Sequence, residues 1–245
     1  MKSFITIIFC IVFFWTLSKA NTVPAANDPV RIAKEYIYSH LNDWGLTADD
    51  VADMTISDMY TDKSSGITRI YFLQQYKSIP VFNAILNVCM TKEGKVYYTT
   101  SRFVKDLEEK INATKPKINA VDAIGYLTTH LGFPSSQLKM KMSTNAAEYI
   151  FERNEQTRED ITVELNYQPY LGKVNLAWTI FYCPLSTLDQ WNVRVDAVTG
   201  EVLKQDNWTL YCNVDGGSYS HNDVDCRESI TEEKIESYPV TAQNV

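Results

Sequence analysis

From Gly66 to Val104 the sequence reads GITRIYFLQQYKSIPVFNAILNVCMTKEGKVYYTTSRFV, and its periodicity constrains it to a β-meander. Ile67 to Tyr76 is a mixed apolar run, broken by Ser78-Ile79-Pro80. Proline cannot donate to a strand ladder, so Pro80 belongs at a strand start or edge. From Val81 to Met90, the positions Phe82, Ala84, Leu86, Val88 and Met90 share one face and are all apolar, while Asn83 and Asn87 share the other. This period of two predicts a strand with one buried face, Phe82, Leu86 and Val88 being core residues and the Ile79-Pro80 break setting the register. Thr91 to Lys95 supplies a turn with Gly94 near its end, and Val96 to Phe103 returns to complete a hairpin.

Helices frame this meander. Asp28-Pro29 reads as an N-cap followed by proline at the first helical position. Val30, Ala33, Ile37, Leu41 and Trp44 then follow helical spacing up to a capping Gly45. Thr47 to Asp53 reads as an acidic turn and Thr55 to Tyr60 as a strand. Asp106 to Lys117 is charged, has no apolar period and contains Lys115-Pro116-Lys117, the pattern of a linker. A second helix is predicted from Asn119 to Leu131, with Val121, Ile124, Leu127 and Leu131 as its stripe and Gly132 as its stop. Strand-like runs come next at Glu148–Phe151, 161–167, 176–183 and 190–196, then 201–204. In the clearest, Trp191, Val193 and Val195 are expected inward and Asn192, Arg194 and Asp196 outward. The fold class is therefore α+β: two small domains, 28–105 and 118–211, each a helix packed on an antiparallel sheet. Residues 106–117 join them, and a flexible acidic tail, 212–245, ends the chain.

The first residues, Met-Lys-Ser and then an apolar run from Phe4 to Leu17 ahead of Ser18-Lys19-Ala20, have the layout of a secretory signal peptide covering 1–20. The run is shorter than the roughly 20 residues a spanning helix needs, so the mature chain is expected to be secreted and free of the membrane. With Cys10 removed, Cys89, Cys183, Cys212 and Cys226 remain as disulfide candidates in three possible pairings. Cys212 and Cys226 enclose a Gly-containing loop and are the first pair to consider. Cys89 and Cys183 fall in strands and read equally well as buried thiols. Asn112 and Asn207 each begin an Asn-x-Thr glycosylation pattern. The net charge of −7 gives nucleic acid no basic footprint. Residues 213–245 hold seven acidic and two basic side chains and few apolar ones, too little to offset ordering entropy unless a partner orders them.

The run YFLQQYKSIPVFNAILNV resembles the fungalysin/thermolysin propeptide motif through Gln74-x-Tyr76-x-x-Ile79-Pro80-Val81-Phe82-Asn83-Ala84. A second stretch, WNVRVDAVTGEV, is similar to the C-terminal half of PepSY-type pro-domains at Trp191, Val193, Val195, Asp196, Ala197, Thr199, Gly200, Glu201 and Val202. The order of the two halves is that of a fungalysin-type pro-region. The resemblance implies a segment that helps a secreted zinc metallopeptidase fold and keeps it silent, with that catalytic domain as partner, in cis or in trans.

The chemistry of such a peptidase is missing from the sequence. Its zinc site needs two histidines one helical turn apart with a glutamate between them. His40, His130 and His221 are the three histidines, none has a neighbour at +4, and none is followed by glutamate. A Cys183/His130 pair or a cation site at Asp215, Asp223 and Asp225 beside Gly216-Gly217 has weaker grounds than core packing and a solvated tail. No cofactor, catalytic residue or metal ligand is expected. The reading is a non-catalytic chaperone and inhibitor, part of a truncated precursor. The alternative is a standalone secreted binding module or trans-acting peptidase inhibitor.

Overall fold

The computed structural model describes residues 28–144 and 146–209. The expected signal peptide and acidic tail, with Cys212, Cys226 and His221, lie outside them. Asp28 caps α1 (Pro29–Ser39), its carboxylate accepting from the Val30 amide at 3.0 Å. The helix expected to run on to Gly45 breaks at His40 (φ −118°, ψ 17°) and resumes as α2 (Leu41–Trp44). There the imidazole stacks on Tyr36 at 3.8 Å and its Nδ1 lies 2.9 Å from the Tyr36 carbonyl. The acidic turn is a short helix, α3 (Ala48–Ala52). Thr47 and Asp50 form a reciprocal capping box on it.

β1 (Thr55–Thr61), β2 (Thr68–Tyr76), β3 (Ile79–Met90) and β4 (Val96–Ser101) form the meander, antiparallel throughout. The segment expected as a linker carries α4 (Leu107–Lys110), whose Leu107 is buried. It then bridges to Val174, the Asn112 amide donating to the Val174 carbonyl at 3.1 Å. α5 (Ala120–Leu131) is capped by Asn119 and stopped by Gly132 at φ 75°. Its buried side is Ala120, Ala123, Ile124, Leu127 and Thr128, and Val121, expected in the stripe, is exposed. β5 (Met140–Thr144), β6 (Glu148–Phe151), β7 (Ile161–Tyr170), β8 (Lys173–Tyr182), β9 (Trp191–Asp196) and β10 (Val202–Asn207) complete the described chain.

All ten strands belong to one sheet, ordered β1-β2-β3-β7-β8-β9-β10, with β4 beside β3 and the β5–β6 hairpin beside β7. Every pairing is antiparallel except β3 with β7, which run parallel at Val81–Tyr167. The edge of β7 is thus shared: β6 pairs with residues 161–164 and β3 with Tyr167. The edge of β3 is shared in the same way, its later residues pairing with β4. The buried residues of α1, α3, α4 and α5 join the apolar sides of both half-sheets in one contiguous core, running from Ala33 and Phe72 to Trp178 and Val195. Helices lie against that side, and strand side chains make up the opposite face.

Candidate functional site

The motif residues converge where the half-sheets meet. Lys77 (φ 50°) and Ser78 (φ 64°) form the two-residue turn between β2 and β3, closing on the pair Tyr76–Ile79. Positive φ at both central residues gives the twist a tight hairpin needs. Beyond it the ladder slips. Leu73 pairs with Ile85 and Gln75 with Pro80, so Gln74 alone stands opposite residues 81–84. Asn83 takes up the surplus at φ 58°, its Oδ1 accepting from Arg102 Nη1 at 3.2 Å. This bulge inverts the alternation. Val81 is fully buried and Phe82 is turned to the opposite face, correcting the expectation that Phe82 belongs to the core with Leu86 and Val88.

Gln74 fills the space left by the slip. It is fully buried; its Nε2 donates to the carbonyls of Asp50 (3.0 Å) and Val104 (2.8 Å), and its Oε1 accepts from the Val104 amide at 2.7 Å. Asp50, also buried, accepts from the Leu107 amide at 2.8 Å and the Asp106 amide at 3.2 Å. On the other side of the seam Tyr167 packs edge-on against Tyr76, with ring centroids 6.1 Å apart, and donates its hydroxyl to the Ala113 carbonyl at 3.2 Å. Burial, and then Tyr76, push its phenol up to about 12.

The second motif is a turn held by one carboxylate. Asp196 Oδ1 accepts from the Val198 amide (2.7 Å) and the Thr199 amide (2.8 Å), while Oδ2 accepts from the Asn175 side chain at 2.9 Å. Gly200 has φ 80°, and a Cβ there would stand 2.6 Å from the Tyr126 ring. Val193 and Val195 are fully buried and Trp191 half-buried. The expected outward residues are covered too: Asn192, Arg194 and Asp196 are 5%, 1% and 2% exposed. Arg194 lies beneath Phe82, its guanidinium carbon 4.1 Å from the ring centroid. Its Nη1 donates to Asp206 Oδ2 at 2.5 Å and to the Asn192 carbonyl at 2.9 Å. Phe82 and Arg194 thus bring the two motifs together on the face away from the helices.

That face is polar and aromatic. In the first half-sheet it carries Tyr60 and Tyr71, stacked at 6.3 Å, with Arg69 over Tyr60 and Tyr98 exposed nearby. In the second it carries Glu164, Asn166, Gln168, Thr179, Asn192 and Arg194. Preformed aromatic rings with a few fixed polar groups suit macromolecular docking. Nothing there assembles a nucleophile with a base. Among the described residues no group of three His, Cys, Asp or Glu side chains is placed to hold a metal ion, and no helix is long and apolar enough to cross a membrane. His130 is exposed, its Nε2 lying 2.9 Å from Gln205 Oε1. Cys89 and Cys183 are buried and unbridged, and desolvation raises the Cys183 thiol above its ordinary range. Asn112 and Asn207 are exposed at the surface, yet both side chains are engaged, Asn112 Oδ1 with the Leu176 amide and Asn207 Nδ2 with Asp189.

Comparison with protein families matches residues 52–103 to the Fungalysin/Thermolysin Propeptide Motif. The chain carries a propeptide motif. It begins at the end of α3, takes in β1 to β4 and closes at Phe103, beside the Gln74–Val104 bonds. No curated protein matches the chain. Among solved structures, the Bacillus megaterium YpeB C-terminal domain aligns at 14% identity and a TM-score of 0.31, over 74% of this chain and 64% of that one. The chain thus spans less than two thirds of that structure.

Gln74, Asp50 and Tyr167 are the residues that sequence reasoning did not single out as organising the seam. Gln74 had a signal, being the Gln of Gln-x-Tyr. Tyr167 had none, because its role depends on a strand pairing distant in sequence.

Proposed function

We propose that this chain is a secreted, non-catalytic pro-region that assists the folding of a fungalysin-like zinc metallopeptidase and holds it inactive. The match of residues 52–103 to the propeptide motif carries this reading. The His-Glu-x-x-His pattern is absent from the sequence, so the peptidase chemistry belongs to a partner domain. Residues 1–20 act as the signal peptide, and residues 28–105 and 118–211 are the propeptide-like and PepSY-like regions. The partner binds the face bearing Phe82, Tyr60, Tyr71 and Tyr98, whose rings offer apolar area at low entropic cost.

The purified mature chain, added to a fungalysin-type peptidase, is expected to slow it in proportion to the amount added and to co-elute with it at one-to-one stoichiometry. Full activity, with no complex at micromolar concentrations, would remove the proposal.

A further inference from the structure

The outer strands of the sheet are not alike. Among the described strands, β1, β4, β5 and β10 each pair on one side only, and an open edge offers a row of unpaired amides and carbonyls to another strand. A second copy of the same strand pairs antiparallel about a two-fold axis, so the charges on that strand must complement themselves. β1 carries Asp58 and no cation, β5 carries Lys141 and no carboxylate, and β4 carries no charge. β10 alone carries both signs, Lys204 and Asp206, one on each side of Gln205.

The ladder with β9 fixes which groups of β10 face out. The Trp208 amide donates to the Gln190 carbonyl at 2.8 Å, and Asp206 stands opposite Asn192. Antiparallel alternation then turns the N–H and C=O of Gln205 and Asn207 away from β9, toward the open edge. Pairing β10 with its own copy about Gln205 uses those groups. In that register Lys204 stands opposite Asp206 of the second copy, and Asp206 opposite Lys204 of the second copy. Both pairs fall in non-hydrogen-bonded positions, where facing side chains come closest, and by parity both lie on one face. Lys204 is exposed and makes no ion pair among the described residues. Asp206 gives Oδ2 to Arg194, which leaves Oδ1 to accept from a second cation. We propose that two copies of the chain join antiparallel through β10, about a two-fold axis at Gln205, with a Lys204–Asp206 pair on each side of the axis. The sheet then runs on from one molecule into the other. β10 ends the strand order opposite β1 and β2, so the dimer leaves the Tyr60–Tyr71 face open.

Dimerisation is independent of the peptidase reading, and its test contains no peptidase. Residues 21–245, made without glycosylation so that Asn207 carries no sugar, are sedimented over a range of micromolar concentrations. A reversible monomer–dimer equilibrium is expected. Lys204→Glu sets a carboxylate against Asp206 of the second copy at both symmetric positions and is expected to raise the dimer dissociation constant about tenfold or more. Lys95→Glu, an equal change of charge at an exposed position outside β10, is expected to leave it unchanged. A monomer at every concentration overturns the proposal, as does a dimer that Lys204→Glu leaves intact or that both substitutions weaken alike. The unsubstituted chain gives a second reading free of any folding defect. The Gln205 and Asn207 amides are expected to exchange their hydrogens more slowly as concentration rises, and exchange there that ignores concentration overturns the proposal as well.

Discussion

Gln74 shows how much one side chain can hold. Its amide makes three bonds to two distant backbone segments from a site with no solvent exposure. Gln74→Leu keeps the volume and leaves the Val104 amide and two carbonyls without that partner. The expected loss is about 2–3 kcal/mol, seen as a lower urea midpoint at unchanged m-value. A polar residue in a strand reads as outward, so its burial was not legible from alternation. The same holds for Phe82 and Arg194. Parity placed the first inward, and polarity placed the second outward. The Asn83 bulge moved Phe82, and Phe82 then covered Arg194. Asn tolerates positive φ better than most residues, so the bulge left a faint mark in the sequence. Asp196 and Gly200 were fully legible as a turn because short-range geometry alone demands them.

Elements with strong local signals appear where the sequence predicts them. β6 has the expected bounds, and α5 has the expected cap and stop. β5 was not anticipated: Met140 and Met142 alternate with Lys141 and Ser143, but the run is only five residues long and all of it is exposed. The β6–β7 pair carries a flaw visible only in the register: Glu148 stands directly opposite Glu164. Desolvation, and then Glu148, raise the Glu164 carboxyl above its usual 4.5. A carboxyl raised on folding contributes stability below the unfolded value and loses it as pH rises through the folded one. Glu164→Gln is therefore expected to match the parent near pH 4 and to exceed it increasingly above about 4.5, by less than about 1 kcal/mol, the scale of a cross-strand pair. Melting temperatures measured from pH 4 to 8 check this, and a constant offset would refute the linkage.

At the scale of the molecule, the two motif-bearing halves share a sheet and a core. Composition suggested a linker between them, yet Leu107 is buried and Ile111 bridges to Val174. Charge at residues 105–110 hid these contacts, since a few buried positions among lysines and glutamates show no period. A shared core predicts joint melting: calorimetry of residues 21–245 is expected to give one transition, with calorimetric and van't Hoff enthalpies in agreement. Two separable transitions would show that the halves are independent. Joining the halves also has a cost in time. The β3 edge at Val81 is closed by Tyr167, which leaves the ribosome on the order of ten seconds after it at about 5–20 residues per second. Throughout that interval the nascent hairpin presents an open, apolar strand edge, so the moment of greatest aggregation risk falls during synthesis and ends when β7 arrives.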